Sequence, residues 1–366
     1  MTLPVPAHIR SLVPYPPGKP MEELERELGI TGVVKLASNE NALGPSPKAL
    51  AAIAAALPGL HRYPDGSGFY LKKALAERLG VEATEIVLGN GSNELIELLA
   101  EIFLAPGDEA ILSHPTFLVY QKMIQARGGC AKVVPLQDFG HDLAAIAGQV
   151  TARTRMIFLD NPNNPAGTVF GQAAFRDFLA QLPAHLLVVL DEAYVDFVSP
   201  ELAWDSVAYR LAQPPVAILR TFSKAYGLAG LRIGYGVMAP EVSDLANRIR
   251  QPFNVNTLAQ IGALAALADR EHLAATLAMT REGIARLAAG VAALGCRPYP
   301  SQTNFFLVDL GRPAKPVYEA MLHRGVIVRP MAAYDLPSFL RITPGTPAEN
   351  ERCLAALAAA LDPARP

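Results

Sequence analysis

The sequence predicts an α/β fold with a mainly parallel central sheet flanked by helices, followed by a smaller α/β segment. Three observations carry this expectation. Between residues 36 and 250, apolar runs of strand length alternate with helical periodicity, the rhythm of strand–helix–strand units. Most of these runs end in loops rich in Gly, Pro and polar residues, where open α/β sheets carry their ligands. The chain has 366 residues, enough for two domains, and its composition of 51% hydrophobic and 18% charged residues can bury large cores.

Residues 1–35 read as an arm packed on the body, because Pro4, Pro6, Pro14, Pro16, Pro17 and Pro20 precede a helical pattern at Met21–Leu28. A large domain is expected over 36–250, with strand-like runs at Glu85–Leu88, Ala110–Leu112, Met156–Leu159, Leu186–Leu190 and Val216–Leu219. A small domain is expected over 251–366, helical across 257–295 and strand-like at Phe305–Val308 and Val326–Val328. Its terminal helix opens on Thr346-Pro347-Ala348-Glu349, a capping box with proline in the first turn. The Ala-rich stretches 49–56 and 354–360 read as helices rather than repeats.

The charge balance, 34 acidic against 32 basic side chains for a net −2, offers no footprint for nucleic acid. No apolar run approaches the ~18 residues of a spanning helix. The proline-rich start lacks the apolar stretch of a cleaved leader. Cys130, Cys296 and Cys353 are scattered and suit reduced, buried thiols, and the seven histidines show no ligand spacing, so no metal is expected. A cytoplasmic enzyme is the class that remains.

Five loops carry chemistry. Gly89-Asn90-Gly91-Ser92-Asn93 precedes an amphipathic helix, and a glycine turn feeding a helix N-terminus suits a phosphate as well as an ordinary turn. Asp160-Asn161-Pro162-Asn163-Asn164-Pro165 is stiffened by two Asn-Pro steps, which a rigid turn explains without explaining three asparagines. Asp191-Glu192-Ala193-Tyr194 follows a fully apolar strand, where a carboxylate is costly without a cation. Arg220-Thr221-Phe222-Ser223-Lys224 sets a lysine after another apolar strand, where a desolvated amine becomes a usable nucleophile, and Arg232 follows as an anion binder. Arg341, between apolar neighbours, and Arg329, twelve residues earlier, each expect an anionic partner, structural or substrate.

These motifs resemble the pyridoxal-phosphate-dependent aminotransferases of fold type I, and the resemblance covers almost the whole chain. It is carried by Tyr15-Pro16-Pro17-Gly18-Lys19-Pro20, Leu36-Ala37-Ser38-Asn39-Glu40-Asn41, Tyr63-Pro64-Asp65-Gly66, Pro115-Thr116-Phe117 and Pro252-Phe253-Asn254-Val255-Asn256, besides the five loops. The block Thr221 to Gly234 is the most specific. Within the family the pattern is similar to the branch acting on histidinol phosphate. The resemblance implies a large domain holding pyridoxal 5'-phosphate and a smaller C-terminal one. It implies that Lys224 bonds the cofactor's aldehyde, that Asp191 pairs with the ring nitrogen, and that Tyr194 and Asn164 bond its phenolic oxygen. Phe117 would stack on the ring, and Ser92, Asn93, Thr221, Ser223 and Arg232 would surround the phosphate. Tyr63 would reach that phosphate from a second subunit, implying a homodimer with shared sites. Tyr15, Asn39, Arg329 and Arg341 would hold the substrates, histidinol phosphate and glutamate or 2-oxoglutarate. An aromatic aminotransferase and a threonine-phosphate decarboxylase share nearly every motif and are the alternatives.

Overall fold

The computed structural model describes residues 3–14 and 18–362. In chain order the strands are β1 (Val34–Lys35), β2 (Ile86–Gly89), β3 (Glu109–His114), β4 (Cys130–Pro135), β5 (Thr154–Asp160), β6 (Leu187–Asp191) and β7 (Val216–Thr221). They continue as β8 (Gly234–Val237), β9 (Arg297–Pro298), β10 (Phe306–Asp309), β11 (Val326–Ile327), β12 (Arg329–Pro330) and β13 (Phe339–Ile342).

A seven-stranded sheet runs in the order β2-β8-β7-β6-β5-β3-β4 and is parallel except for β8, which is antiparallel to both its neighbours. Its strands other than the edge strand β4 are buried on both faces, as helix-covered parallel strands must be. Met156, Phe158, Leu187, Val189, Ala217 and Leu219 pack on one side, against helices that include Ser92–Phe103 and Val119–Ala126. Ile157, Leu159, Val188, Leu190, Val216 and Ile218 pack on the other, against Gln172–Leu179. A third cluster joins Leu71, Leu75 and Phe222 to Ala259, Ala263 and Ala266 of the helix Thr257–Leu267.

A four-stranded antiparallel sheet, β12-β13-β10-β9, covers one face with the helices Arg270–Ala293, Ala314–Leu322 and Pro347–Leu361 through Phe306, Val308, Leu340 and Ile342. The last helix has the expected capping box, Thr346 Oγ1 accepting from the Glu349 N–H and Glu349 from the Thr346 N–H. Out of the arm, β1 pairs in parallel with β11. The arm's helix Met21–Leu28 inserts Leu24 beside Val33 and Ile327. Gln125 Nε2 donates to the His8 carbonyl at 3.2 Å, holding the first turn of the arm to the body.

Each strand-like run lies in a strand, with ends shifted by up to two residues. Glu85 instead closes a 3-10 turn, and the run Val326–Val328 breaks so that β12 starts at Arg329. Two strands carry little apolar signal. In β8, Gly234 admits no side chain, since a Cβ would stand 2.6 Å from the Ser92 nitrogen and 2.9 Å from the Arg220 carbonyl oxygen, while at Gly236 a Cβ would have to push the Met238 methyl carbon aside. The other, β4, is a sheet edge with half its surface solvated, and Cys130 on it is exposed, unlike buried Cys296 and Cys353. No helix among the described residues is long and apolar enough to cross a membrane.

Candidate active site

Strands β2, β5, β6 and β7 end at the same edge of the large sheet, and their loops enclose a cavity of about 490 Å³. Ser92, Asn93, Phe117, Asn164, Asp191, Tyr194, Thr221, Ser223, Lys224 and Arg232 all line it. The four loops singled out in the sequence therefore converge on one place.

At the bottom lies Asp191, the last residue of β6, buried among apolar strands. It accepts from the Tyr120 hydroxyl at 2.8 Å and from the Ala193 N–H at 3.0 Å. Burial pushes its carboxyl up to about 7. A carboxylate so placed favours a cationic partner.

Lys224 approaches from the end of β7, its ammonium donating to the Ser38 carbonyl at 3.3 Å. Loss of water around the amine, and next the charge of Arg341, pull it down to about 8. A sizeable fraction is then the neutral nucleophile near neutral pH, which an exposed lysine does not offer. The Lys224 ammonium lies 5.8 Å from the centre of the Tyr194 ring, whose phenol burial holds well above the ordinary value. Asn39 Nδ2 at 2.8 Å and Asn164 Nδ2 at 3.5 Å both point to its oxygen. With amides donating to it, the hydroxyl keeps its own proton to donate.

The opposite wall is a cradle. Gly91 has φ +80°, and a Cβ there would stand 2.6 Å from Arg232 Nη2, so only glycine lets this guanidinium close over the N-terminus of the helix Ser92–Phe103. Ser92, Ser223 and Thr221 line the same wall. Helix N–H groups, small hydroxyls and a guanidinium fit a phosphate.

The segment 36–39 ties this cavity to the small sheet. Ala37 O accepts from Arg341 Nη2 at 3.1 Å, and Asn39 exchanges hydrogen bonds with Thr343. Arg341 is buried, bonds Asn164 Oδ1 at 2.5 Å, lies over the Phe305 ring at 4.8 Å and leaves its Nε without a hydrogen-bond partner. Arg329 is its register partner across β12 and β13, so the two side chains share one face of the sheet. Arg329 lines a separate groove with Lys19, Glu23 and Tyr318, where the arm meets the small sheet. Tyr15 lies outside the described residues. Tyr63 is 83% exposed, stacks on Phe253 at 4.8 Å and does not line the cavity of its own chain.

Of the three loop asparagines only Asn164 faces the cavity. Asn161 bonds the Phe170 backbone, and Asn163 bonds Asp160 and the Ala166 N–H. Sequence reasoning missed Asp160 and Tyr120, both of which line the cavity. Each had a signal: Asp160 ends its strand as Asp191 does, and Tyr120 lies three positions beyond Phe117 on a helical path.

The fold and this arrangement of lysine, carboxylate and phosphate cradle define an aminotransferase. The description "Aminotransferase class I and II" matches residues 31–357, and the chain belongs to that family. It is 51% identical to a histidinol-phosphate aminotransferase of Desulfotalea psychrophila, over 98% of this chain and 95% of that one. It is 53% identical to histidinol-phosphate aminotransferase 2 of Pseudomonas fluorescens, over 96% of each. The crystal structure of histidinol-phosphate aminotransferase from Sinorhizobium meliloti in complex with pyridoxal-5'-phosphate superposes with a TM-score of 0.92 at 30% identity, covering 100% of this chain and 99% of that one.

Proposed function

We propose that the chain binds pyridoxal 5'-phosphate in the 490 Å³ cavity and transfers the amino group of histidinol phosphate to 2-oxoglutarate, giving imidazole-acetol phosphate and glutamate in histidine biosynthesis. The residues fit the cofactor: a buried carboxylate that favours a cation, an amine pulled down to about 8, and a cradle that a Cβ at Gly91 would fill. Bound there, the cofactor supplies an aldehyde that carries the amino group and a pyridinium ring that accepts electron density.

The chain's own groups supply the rest. Asp191 holds the ring nitrogen protonated. Tyr194 and Asn164 bond the ring's phenolic oxygen, and Phe117 packs on the ring face. Ser92, Asn93, Thr221, Ser223 and Arg232 hold the phosphate. Lys224 would hold the aldehyde, and its amine is the group placed to move a proton from the substrate carbon. Asn39 and Arg341 hold the substrate's acidic end. Tyr63, exposed amid exposed Leu60, Phe69, Tyr70 and Phe253, reaches the phosphate of a second copy, making a homodimer the active unit.

The observation that carries the choice of substrate is the pairing of Arg329 with Arg341. As register partners on one face of the small sheet, they can present two guanidiniums to one anion. A phosphate carries about −1.5 to −2 charges near neutral pH and suits two guanidiniums better than a single carboxylate does. The test compares histidinol phosphate, phenylalanine and threonine phosphate with 2-oxoglutarate as acceptor, recording glutamate and CO₂. Glutamate formed fastest from histidinol phosphate, without CO₂, is the expected result. Faster reaction of phenylalanine, or CO₂ from threonine phosphate, would overturn the substrate assignment.

A further inference from the structure

Two buried carboxylates, rather than one, stand at the sheet edge inside the cavity. Asp160 ends β5 and Asp191 ends β6, and they are register partners in the parallel ladder. The alternation that puts Met156 and Phe158 on the side of Leu187 and Val189 puts both carboxylates on that side too. Adjacent strands lie about 4.8 Å apart. Two buried like charges at that spacing are unfavourable unless each is separately satisfied or a cation joins them.

The two are supported unequally. Asp191 has two donors, the Tyr120 hydroxyl and the Ala193 N–H. Asp160 has three: Thr116 Oγ1 at 2.7 Å and Asn163 Nδ2 at 3.0 Å on one oxygen, and the Asn164 N–H at 2.8 Å on the other; His141 Nε2 bonds the Asp160 main-chain carbonyl at 3.0 Å and lies 3.1 Å from the first carboxylate oxygen. A carbonyl oxygen only accepts, so His141 Nε2 carries the hydrogen toward the Asp160 main chain, while Nδ1 lies 2.7 Å from Ser113 Oγ. A cation brought to Asp191 meets both carboxylates.

We propose that Asp160 is a second anionic partner of the cofactor's ring nitrogen, acting alongside Asp191, and that His141 is the positioning residue that fixes it. This rests on the cofactor reading above. Asp160 also anchors the backbone of Asn164, so the same carboxylate would set both the charge at the ring nitrogen and the amide near the phenolic oxygen.

The test measures by equilibrium dialysis the affinity of the apoenzyme for pyridoxal 5'-phosphate and for its 1-deaza analogue, in which a C–H replaces the ring nitrogen. Asp160→Asn is expected to bind pyridoxal 5'-phosphate at least about tenfold more weakly than wild type, the equivalent of about one pKa unit at the nitrogen. Its affinity for the deaza analogue is expected to match wild type. His141→Ala should shift in the same direction by less, and His141→Gln, whose amide can donate in the same place, should restore the wild-type value. Equal weakening toward both ligands would make Asp160 a structural residue and overturn the proposal, as would no weakening toward either. If Asp160→Asn does not fold, the comparison of His141→Ala with His141→Gln decides in the same way. Wild type that bound no pyridoxal 5'-phosphate would instead overturn the cofactor reading, and this proposal with it.

Discussion

Replacing Asp191 by Asn should remove the reaction and yet stabilise the cofactor-free chain above neutral pH. In the fold this carboxyl titrates at about 7, against 3.8 for the unperturbed group, because burial disfavours its charge. Folding with the carboxylate ionised therefore costs up to about 4 kcal/mol. The penalty is absent below pH 3.8, grows as pH rises through the window and is complete above about 7. An asparagine amide is neutral at every pH, and its oxygen can still accept from the Ala193 N–H while its amide donates to the Tyr120 hydroxyl. Denaturant unfolding of both apoproteins at one protein concentration should show the variant's advantage widening by about 2–3 kcal/mol between pH 5 and pH 8. Adding pyridoxal 5'-phosphate should reverse the order, because the ligand stabilises the protein that binds it better. Turnover of the loaded variant should fall by orders of magnitude, since a neutral amide does not hold the ring nitrogen protonated. A gap between the apoproteins that did not change with pH would refute the reasoning.

Lys224→Ala should lower turnover at least about a thousandfold and leave no cofactor trapped by borohydride, read by mass spectrometry of the intact chain. Uptake of the cofactor by wild-type apoenzyme should quicken as pH rises through about 8, where the Lys224 amine loses its proton; stopped-flow absorbance reads this. Arg329→Ala should lower kcat/KM for histidinol phosphate by about ten- to more than a hundredfold, the loss of one charge-assisted contact of roughly 1.5–3 kcal/mol. Single turnovers with glutamate should lose much less, and equal losses would assign Arg329 to a shared or structural role. Mixing inactive Lys224→Ala chains with inactive Tyr63→Ala chains should restore activity, because each hybrid dimer has one intact site; absence of recovery would place Tyr63 elsewhere.

What the sequence made legible is what depends on near neighbours. Asp191-Glu192-Ala193-Tyr194 and Thr221 to Arg232 follow buried strands directly, so strand direction alone brings Asp191, Tyr194, Lys224 and Arg232 to one edge. The capping box at Thr346 is four residues long and equally plain. What was hidden depends on distant contacts or on missing side chains. No local pattern says that Ser38 O receives Lys224, 186 positions away, or that Asn39 bonds Tyr194. The strand β8 escapes because two of its four residues are glycines, one of them, Gly234, kept small by the Ser92 and Arg220 backbone beside it. Asp160 reads as a loop residue until register sets it beside Asp191. Arg329 and Arg341 each read as half of some ion pair, and only the β12–β13 register joins them.

The central claim, that paired arginines make this an enzyme for a phosphorylated amine, is tested most directly by one comparison. The wild-type holoenzyme is given histidinol phosphate and histidinol, which differ only in the phosphate, and kcat/KM is measured for each with 2-oxoglutarate. The account predicts that histidinol is poorer by more than about a hundredfold, because both guanidiniums lose their anion. Equal values for the two amines would contradict it.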